Sequence, residues 1–316
     1  IHAQDVADGL MFILNLKNYV HQGDFGNAKC PKFNLVGPEE IDNLSLAEKI
    51  ANAQNKELIF LGDSHITFSV IDSLIPNSSN LSNLGEPYYY SFQKLKYVVK
   101  NQNIKHVVLG LSYHNISSYY EELINGNIST VFPPKIFFCL DFIEKLRVIS
   151  WNRNKLFFLF RELINSVENK CYNLENADNK YSFSTGFKNN LYNEKVRTKN
   201  VKNRAYSQFF TSQNKLQSFS YINIYYLKKI ISYCKENNLK ITLLITPLHS
   251  EYLRLVPQEF RSELKEIINK NNVQLINLEN LALNDSCYAH DGDHLTLKGA
   301  RKMTDSLINC LEFKFE

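Results

Sequence analysis

A chain of 316 residues, 44% hydrophobic and 22% charged, is long enough to bury a full core, either as one large domain or as one domain carrying a long insertion. Its formal net charge of +4 comes from dispersed Lys and Arg and argues against nucleic acid as a partner. Six cysteines (Cys30, Cys139, Cys171, Cys234, Cys287, Cys310) are too sparse for a disulfide scaffold and form no Cys-x-x-Cys zinc pair, so they imply no metal and leave the redox compartment open.

The chain opens on Ile1, so a signal peptide or anchor upstream would fall outside it. The apolar runs at 10–14 and 156–160 are too short to span a bilayer, and the visible chain is expected to be soluble. Residues 1–38 show no steady period, while 39–53 carry Leu44, Leu46, Ala47, Ile50 and Ala51 near helical spacing, so 1–56 reads as an arm ending in a helix. Leu58-Ile59-Phe60-Leu61 is a buried strand released by Gly62 into Asp63-Ser64-His65. Ile66, Val70, Ile71 and Leu74 predict a helix that starts on Ser64 and is stopped by Pro76. A Ser- and Asn-rich stretch follows, then a helix over 88–101 and a second buried strand over 106–112, again released by a glycine, Gly110.

Strand, helix, strand with all-apolar strands predicts a parallel sheet covered on both faces. Residues 119–220 break the pattern: 137–167 is apolar and helical in character, 171–218 polar and poorly periodic, and together they read as an insertion. Such an insertion sits above the active face as a lid or platform, or is a helical hairpin that completes the core. The alternation resumes over 221–316, with helices at 221–237 and 258–271, strands at 241–246 and 273–278, and a last helix over 296–311 whose inner stripe is Leu297, Ala300, Met303, Leu307, Ile308 and Leu311.

In such a sheet reactive groups collect outside the carboxyl ends of the strands. Four polar segments end there: Asp63-Ser64-His65, Ser112-Tyr113-His114-Asn115, Thr246-Pro247-Leu248-His249 and the loop from His290 to His294. A serine hydroxyl needs a base within hydrogen-bond reach and a carboxylate that fixes the base's tautomer. Asp291 and His294, three residues apart in a tight loop, can supply both to Ser64, although helix capping and first-turn charge would equally account for Asp291 and Asp293.

Gly62-Asp63-Ser64, Asn83-Leu84-Gly85 and Asp291-x-x-His294 followed by a Gly-containing last helix resemble the SGNH (GDSL-type) hydrolase superfamily over residues 58–115 and 239–311. The resemblance implies a flavodoxin-like three-layer α/β/α fold with a central parallel sheet. It also implies Ser64 as nucleophile, His294 as base, Asp291 as its partner, and the N–H groups of Ser64 and Gly85 in an oxyanion hole. The family's third block, Gly-x-Asn-Asp, is replaced by Gly110-Leu111-Ser112-Tyr113, and Ser112, His114 and Asn115 are the candidates to replace its Asn.

The segment 288–300 is similar to the branch linked to O-acylation of cell-envelope polymers. The chemistry expected is therefore that of a serine-dependent O-acyl, in particular acetyl, esterase or acyltransferase acting on a carbohydrate or envelope glycan, without cofactor. The expected place is the cell envelope or periplasm, with the cytoplasm as alternative. Asp63, His65, His114 and His249 are candidate substrate contacts, and a Phe- and Leu-rich segment at 155–164 could dock on a membrane or a membrane-bound acyltransferase. One alternative is a catalytically weakened glycan- or partner-binding protein. Another is a metal-dependent phosphoesterase, for which Asp63-x-His65 would be the first ligand pair with His114, His249 and His290 as further nitrogens, but its Gly-Asn-His and Gly-His-x-His segments are absent. Gly62-Asp63-Ser64-His65-Ile66 lacks the second Gly of an α/β-hydrolase elbow.

Overall fold

A computed structural model describes residues 56–121, 140–151, 186–189 and 196–311. The chain divides at Gln54/Asn55, and all described residues lie in the second unit. The arm with its 39–53 helix, the 155–164 segment, and Cys30, Cys139 and Cys171 fall outside them.

Five strands, β1 (Leu58–Leu61), β2 (Ser78–Asn80), β3 (His106–Gly110), β4 (Lys240–Ile245) and β5 (Gln274–Asn277), form one sheet in the order β2-β1-β3-β4-β5, with every pairing parallel. This is the flavodoxin-like order, in which the chain reverses its direction of winding between β1 and β3. All four residues of β1 are buried, because helices cover both faces.

On one face Leu58, Phe60, Val108, Leu244 and Ile276 pack with Met303, Leu307 and Leu311 of the last helix, α8 (Leu297–Cys310). The strand period of two sends Ile59, Leu61, Val107, Leu109 and Leu243 the other way, all fully buried. That face is covered by α2 (Tyr88–Asn101) and α5 (Tyr221–Glu236), which also pack on each other. Further helices include α3 (Phe142–Trp151), α6 (Ser250–Leu255) and α7 (Gln258–Asn271). Among the described residues no helix is long and apolar enough to cross a membrane.

The helix expected to run from Ser64 to Leu74 is shorter: α1 covers only Ser64–Thr67, with a 3-10 turn at Asp72–Leu74. The Asn80 amide donates to the carbonyls of Ile66 (3.2 Å) and Val70 (3.0 Å), which closes the helix from outside. The same Ser/Asn stretch supplies β2, an edge strand whose three residues are all buried. Its side chains satisfy local polar groups rather than filling apolar space, which hides it from any hydrophobic pattern. Ser78 Oγ, for instance, donates to the carbonyls of Asp72 and Ile75.

Two glycines set how closely α1 lies over the sheet. Gly62 has φ +141°, a conformation that favours glycine, and a Cβ on Gly110 would stand 2.3 Å from Cγ1 of Ile66. β1 and β3 run in register up to Leu61 opposite Leu109, so these glycines end neighbouring strands and leave room for Ile66 to drop between them. Gly110→Ala is expected to lift α1 and lower stability by about 1–3 kcal/mol, read as a lower urea midpoint with an unchanged slope; a midpoint equal to wild type would disprove this packing account.

Candidate active site

Ser64 stands at the first position of α1, delivered by β1 to the carboxyl edge of the sheet at the switch point. Asp63 caps this helix, its Oδ1 accepting from the His65 N–H at 3.0 Å. The second oxygen of Asp63 accepts from His114 Nε2 (2.9 Å), Asn115 Nδ2 (2.8 Å) and the Tyr120 hydroxyl. Burial pushes the Asp63 carboxyl up, but these donors and the nearby His65 outweigh it and hold the carboxyl well below the usual range.

The loop between β5 and α8 comes to the same edge. Asp291 Oδ1 accepts from the N–H groups of Asp293 (3.1 Å) and His294 (3.2 Å), which tightens the turn, while Oδ2 lies 2.7 Å from His294 Nδ1. His294 Nε2 is 2.8 Å from Ser64 Oγ. One carboxylate thus shapes the loop and orients the imidazole, and the expected trio of Ser64, His294 and Asp291 meets in a hydrogen-bonded line. Burial raises the Asp291 carboxyl, yet the facing His294 outweighs this and brings it down to about 2. Helix capping does not account for Asp291, since Thr296 caps α8 by accepting from the Gly299 N–H.

Gly85 has φ +61°, as a close approach of backbone to the site would require. The loop that carries it is anchored by Glu86, which is buried and bonded to Lys94 and Ser91. Among the described residues neither the N–H of Ser64 nor that of Gly85 is engaged in a hydrogen bond.

The other candidate oxyanion donors are buried. Asn115 gives one Nδ2–H to Asp63, and its Oδ1 accepts from the Ser112 N–H (2.7 Å) and the Tyr88 hydroxyl (3.2 Å), so one of its two amide hydrogens and its oxygen are engaged. Ser112 is buried, with its N–H spent on that same bond. Three of the four candidate substrate contacts, Asp63, His65 and His114, are each at most 3% exposed and face inward. His249 stays at the rim, half-buried, with its N–H on the Gly292 carbonyl (3.0 Å) and its ring edge against Tyr288.

Behind Ser64 lies a network that the sequence reading missed. His65 Nε2 stands 2.9 Å from Asp293 Oδ1, an ion-pair distance without good hydrogen-bond alignment, and its Nδ1 is 3.3 Å from Thr246 Oγ1. Asp293 Oδ2 accepts from Arg204 Nε (2.6 Å) and Gln208 Nε2 (3.1 Å). Their helix, α4 (Thr198–Phe209), belongs to the segment read as an insertion.

The ligand atoms of His65, His114 and Asp293 lie within 4.8 Å of one another, the spacing a cation would need. The charges do not favour one: a guanidinium already occupies Asp293, and an imidazolium at His65 with that guanidinium balances the carboxylates of Asp63 and Asp293. Burial opposes the charge on His65, but Asp293 and Asp63 outweigh it and raise its pKa, while burial and the facing His65 lower that of His114.

Because His65 binds its proton more tightly in the folded state, the stability it contributes is complete below about pH 6.5, the usual unfolded value, and is lost as pH rises through the folded pKa. His65→Asn should therefore lower the urea midpoint most near pH 6, with the gap to wild type narrowing by pH 9; a gap equal at both would refute the charged pair.

Several solved structures share features of this fold. A Streptococcus pneumonia protein provisionally named a platelet activating factor is 12% identical over 96% of this chain and 99% of its own, with a TM-score of 0.40. A GDSL-like lipase from Bacteroides thetaiotaomicron is 10% identical over 85% and 96%, with a TM-score of 0.39. The psychrotrophic esterase EstA from Pseudoalteromonas sp. is 12% identical over 81% and 97%, with a TM-score of 0.38. Similarity this low leaves the reading of the site to its own geometry. No relative among curated proteins matches the chain. A protein-family model that carries no description of activity matches residues 157–316, just over half of the chain and the part that holds α4, Asp291 and His294, and the chain belongs to the family that this model defines.

Proposed function

We propose that this chain is an SGNH-type serine ester hydrolase, with Ser64 as nucleophile, His294 as general base and Asp291 as the group that orients it. The observation that carries this reading is the unbroken line from Ser64 Oγ to His294 Nε2 (2.8 Å) and from His294 Nδ1 to Asp291 Oδ2 (2.7 Å). His294 Nε2 accepts the hydroxyl proton as Ser64 Oγ bonds to the ester carbonyl carbon. Asp291 holds the ring so that Nδ1–H faces the carboxylate, and stabilises the imidazolium that forms.

The carbonyl oxygen becomes an oxyanion facing the N–H groups of Ser64 and Gly85, each such donor being worth roughly 3–4 kcal/mol. Collapse breaks the bond to the alcohol, which takes its proton from His294 and leaves an acyl-Ser64. A water or sugar hydroxyl, deprotonated by His294, then releases the acyl group. The first outcome is hydrolysis and the second transfer; both use the same residues.

The acyl group is read as acetyl, its carrier as a carbohydrate of the cell envelope, and a membrane-bound acyl donor as the partner for transfer. These finer assignments rest on the resemblance of residues 288–300 alone. One observation favours a second reading, a weakened enzyme that binds a glycan: Ser112 holds the place of the family's oxyanion Asn in the Gly-x-Asn-Asp block, and the nearby Asn115 amide already gives a hydrogen to Asp63.

With a chromogenic acetyl ester, Ser64→Ala is expected to fall to background, roughly a million-fold, and Asp291→Asn to lose roughly 10,000-fold in kcat. Hydrolysis by Ser64→Ala at the wild-type rate would sink the nucleophile assignment. Mass spectrometry after a serine-directed phosphonate should place one adduct on Ser64; folded wild-type protein without it would favour the glycan-binding reading.

A further inference from the structure

Helix α4 runs alongside the loop that bears His294 and meets it once per turn. The Arg197 N–H at its start donates to the His290 carbonyl (3.1 Å). Val201 lies against Gly292, where a Cβ would come 3.1 Å from Val201 Cγ2 and 3.1 Å from His249 Cβ, and where φ is +65°. Arg204 and Gln208 both donate to Asp293 Oδ2. Positions 197, 201, 204 and 208 follow the i, i+4, i+7, i+11 spacing of a single helix face, so one rigid stripe addresses 290, 292 and 293 in turn.

Gln208 is itself fixed from behind, its Oε1 accepting from the Tyr252 hydroxyl of α6 and its carbonyl from Ser117 Oγ at 2.6 Å. The loop residue so held, Asp293, immediately precedes His294.

We propose that Arg204 is a positioning residue for the catalytic base, acting through Asp293, and that α4 is the strut that keeps His294 in line with Ser64. This rests on the ester-cleaving role given to Ser64 and His294. Arg204 touches none of the three reacting residues; its effect is geometric and electrostatic. Without it Asp293 keeps only Gln208 and His65 against its side chain, the loop ahead of His294 is held less firmly, and a misplacement near 1 Å at a reacting group can cost on the order of 100-fold.

The electrostatic part has a definite sign. The charged and titratable groups facing Asp293 are His65 of α1, Arg204 of α4, and Asp291 and His294 of its own loop, with Tyr252 of α6 beyond Gln208 and Asp63 and His114 beyond His65. Removing the guanidinium leaves the Asp293 carboxylate less compensated beside His294. An uncompensated negative charge next to the reacting groups moves the acid limb of a rate profile to higher pH.

The test uses Arg204→Met, Arg204→Lys and wild type, with phosphonate labelling rates at Ser64 from pH 5 to 9 and amide hydrogen exchange of residues 290–294. Arg204→Met is expected to label about 10–100-fold more slowly at pH 7, with the acid limb of its profile moved to higher pH and exchange at 290–294 accelerated. Arg204→Lys keeps the charge and should recover the position of the acid limb and part of the rate.

A folded Arg204→Met with the wild-type profile and wild-type exchange would overturn the inference. So would a rate loss matching only its unfolded fraction, with the acid limb unmoved. If Arg204→Met does not fold, the same two readouts on Gln208→Leu decide. Absence of any Ser64 adduct in wild type would instead defeat the ester reading; exchange at 290–294, which needs no chemistry, would then decide whether α4 holds the loop.

Discussion

The constraint on which the rest of this site depends is the burial of two carboxylates beside the serine. Asp63 and Asp293 are 3% and 1% exposed, and neither has water to stabilise its charge. Each must therefore be compensated by groups from the fold, and those groups come from segments far apart in the chain: the donors His114, Asn115 and Tyr120 for Asp63, and for Asp293 the donors Arg204 and Gln208 with the ring of His65 at ion-pair distance. Satisfying the charges draws the end of β1, the turn after β3, α4 and the His294 loop to one point. The alignment of Ser64 with His294 is a consequence of that convergence.

His65 is the hinge of the arrangement. It follows the nucleophile in sequence, its ring lies 4.5 Å from that of His114 and 5.3 Å from that of His294, and it pairs with the carboxylate next to the base. The residue beside Ser64 thereby ties the nucleophile's helix to the base's loop from the inside. A side chain of this kind looks like a ligand or substrate contact when read from sequence, because His in a polar motif suggests reactivity. Its burial between Asp63 and Asp293 makes it a structural partner of those carboxylates instead.

What could be read from the sequence follows from which physical signal each element carries. The apolar strands β1, β3 and β4 and the amphipathic helix α8 bury residues at regular periods, so the flavodoxin-like order and the meeting of Ser64 with Asp291 and His294 were legible. β2 was not, because Ser78, Ser79 and Asn80 are buried by hydrogen bonding and give no hydrophobic alternation. The engagement of Asn115 with Asp63 was not legible either, because the two lie 52 positions apart in the chain. The role of Arg204 and Gln208 had a faint signal, a polar stripe continuing the face of Arg197 and Val201, but it gains meaning only when the loop it faces is known.

The oxyanion hole is where chemistry and architecture meet most directly. The Asn115 amide hydrogen given to Asp63 strengthens the cap on α1. The oxyanion donors proposed are backbone N–H groups, at Ser64 on a helix start and at Gly85 in a left-handed conformation, and backbone donors hold their place only as firmly as the loops around them. That explains the investment in buried anchors at both: Glu86 with Lys94 next to Gly85, and Asp63 with His114 and Tyr120 next to Ser64. A site that relies on main-chain donors needs rigidity from charge pairs outside it, and in this chain the same logic extends to the base, whose loop is held by the strut helix through Asp293.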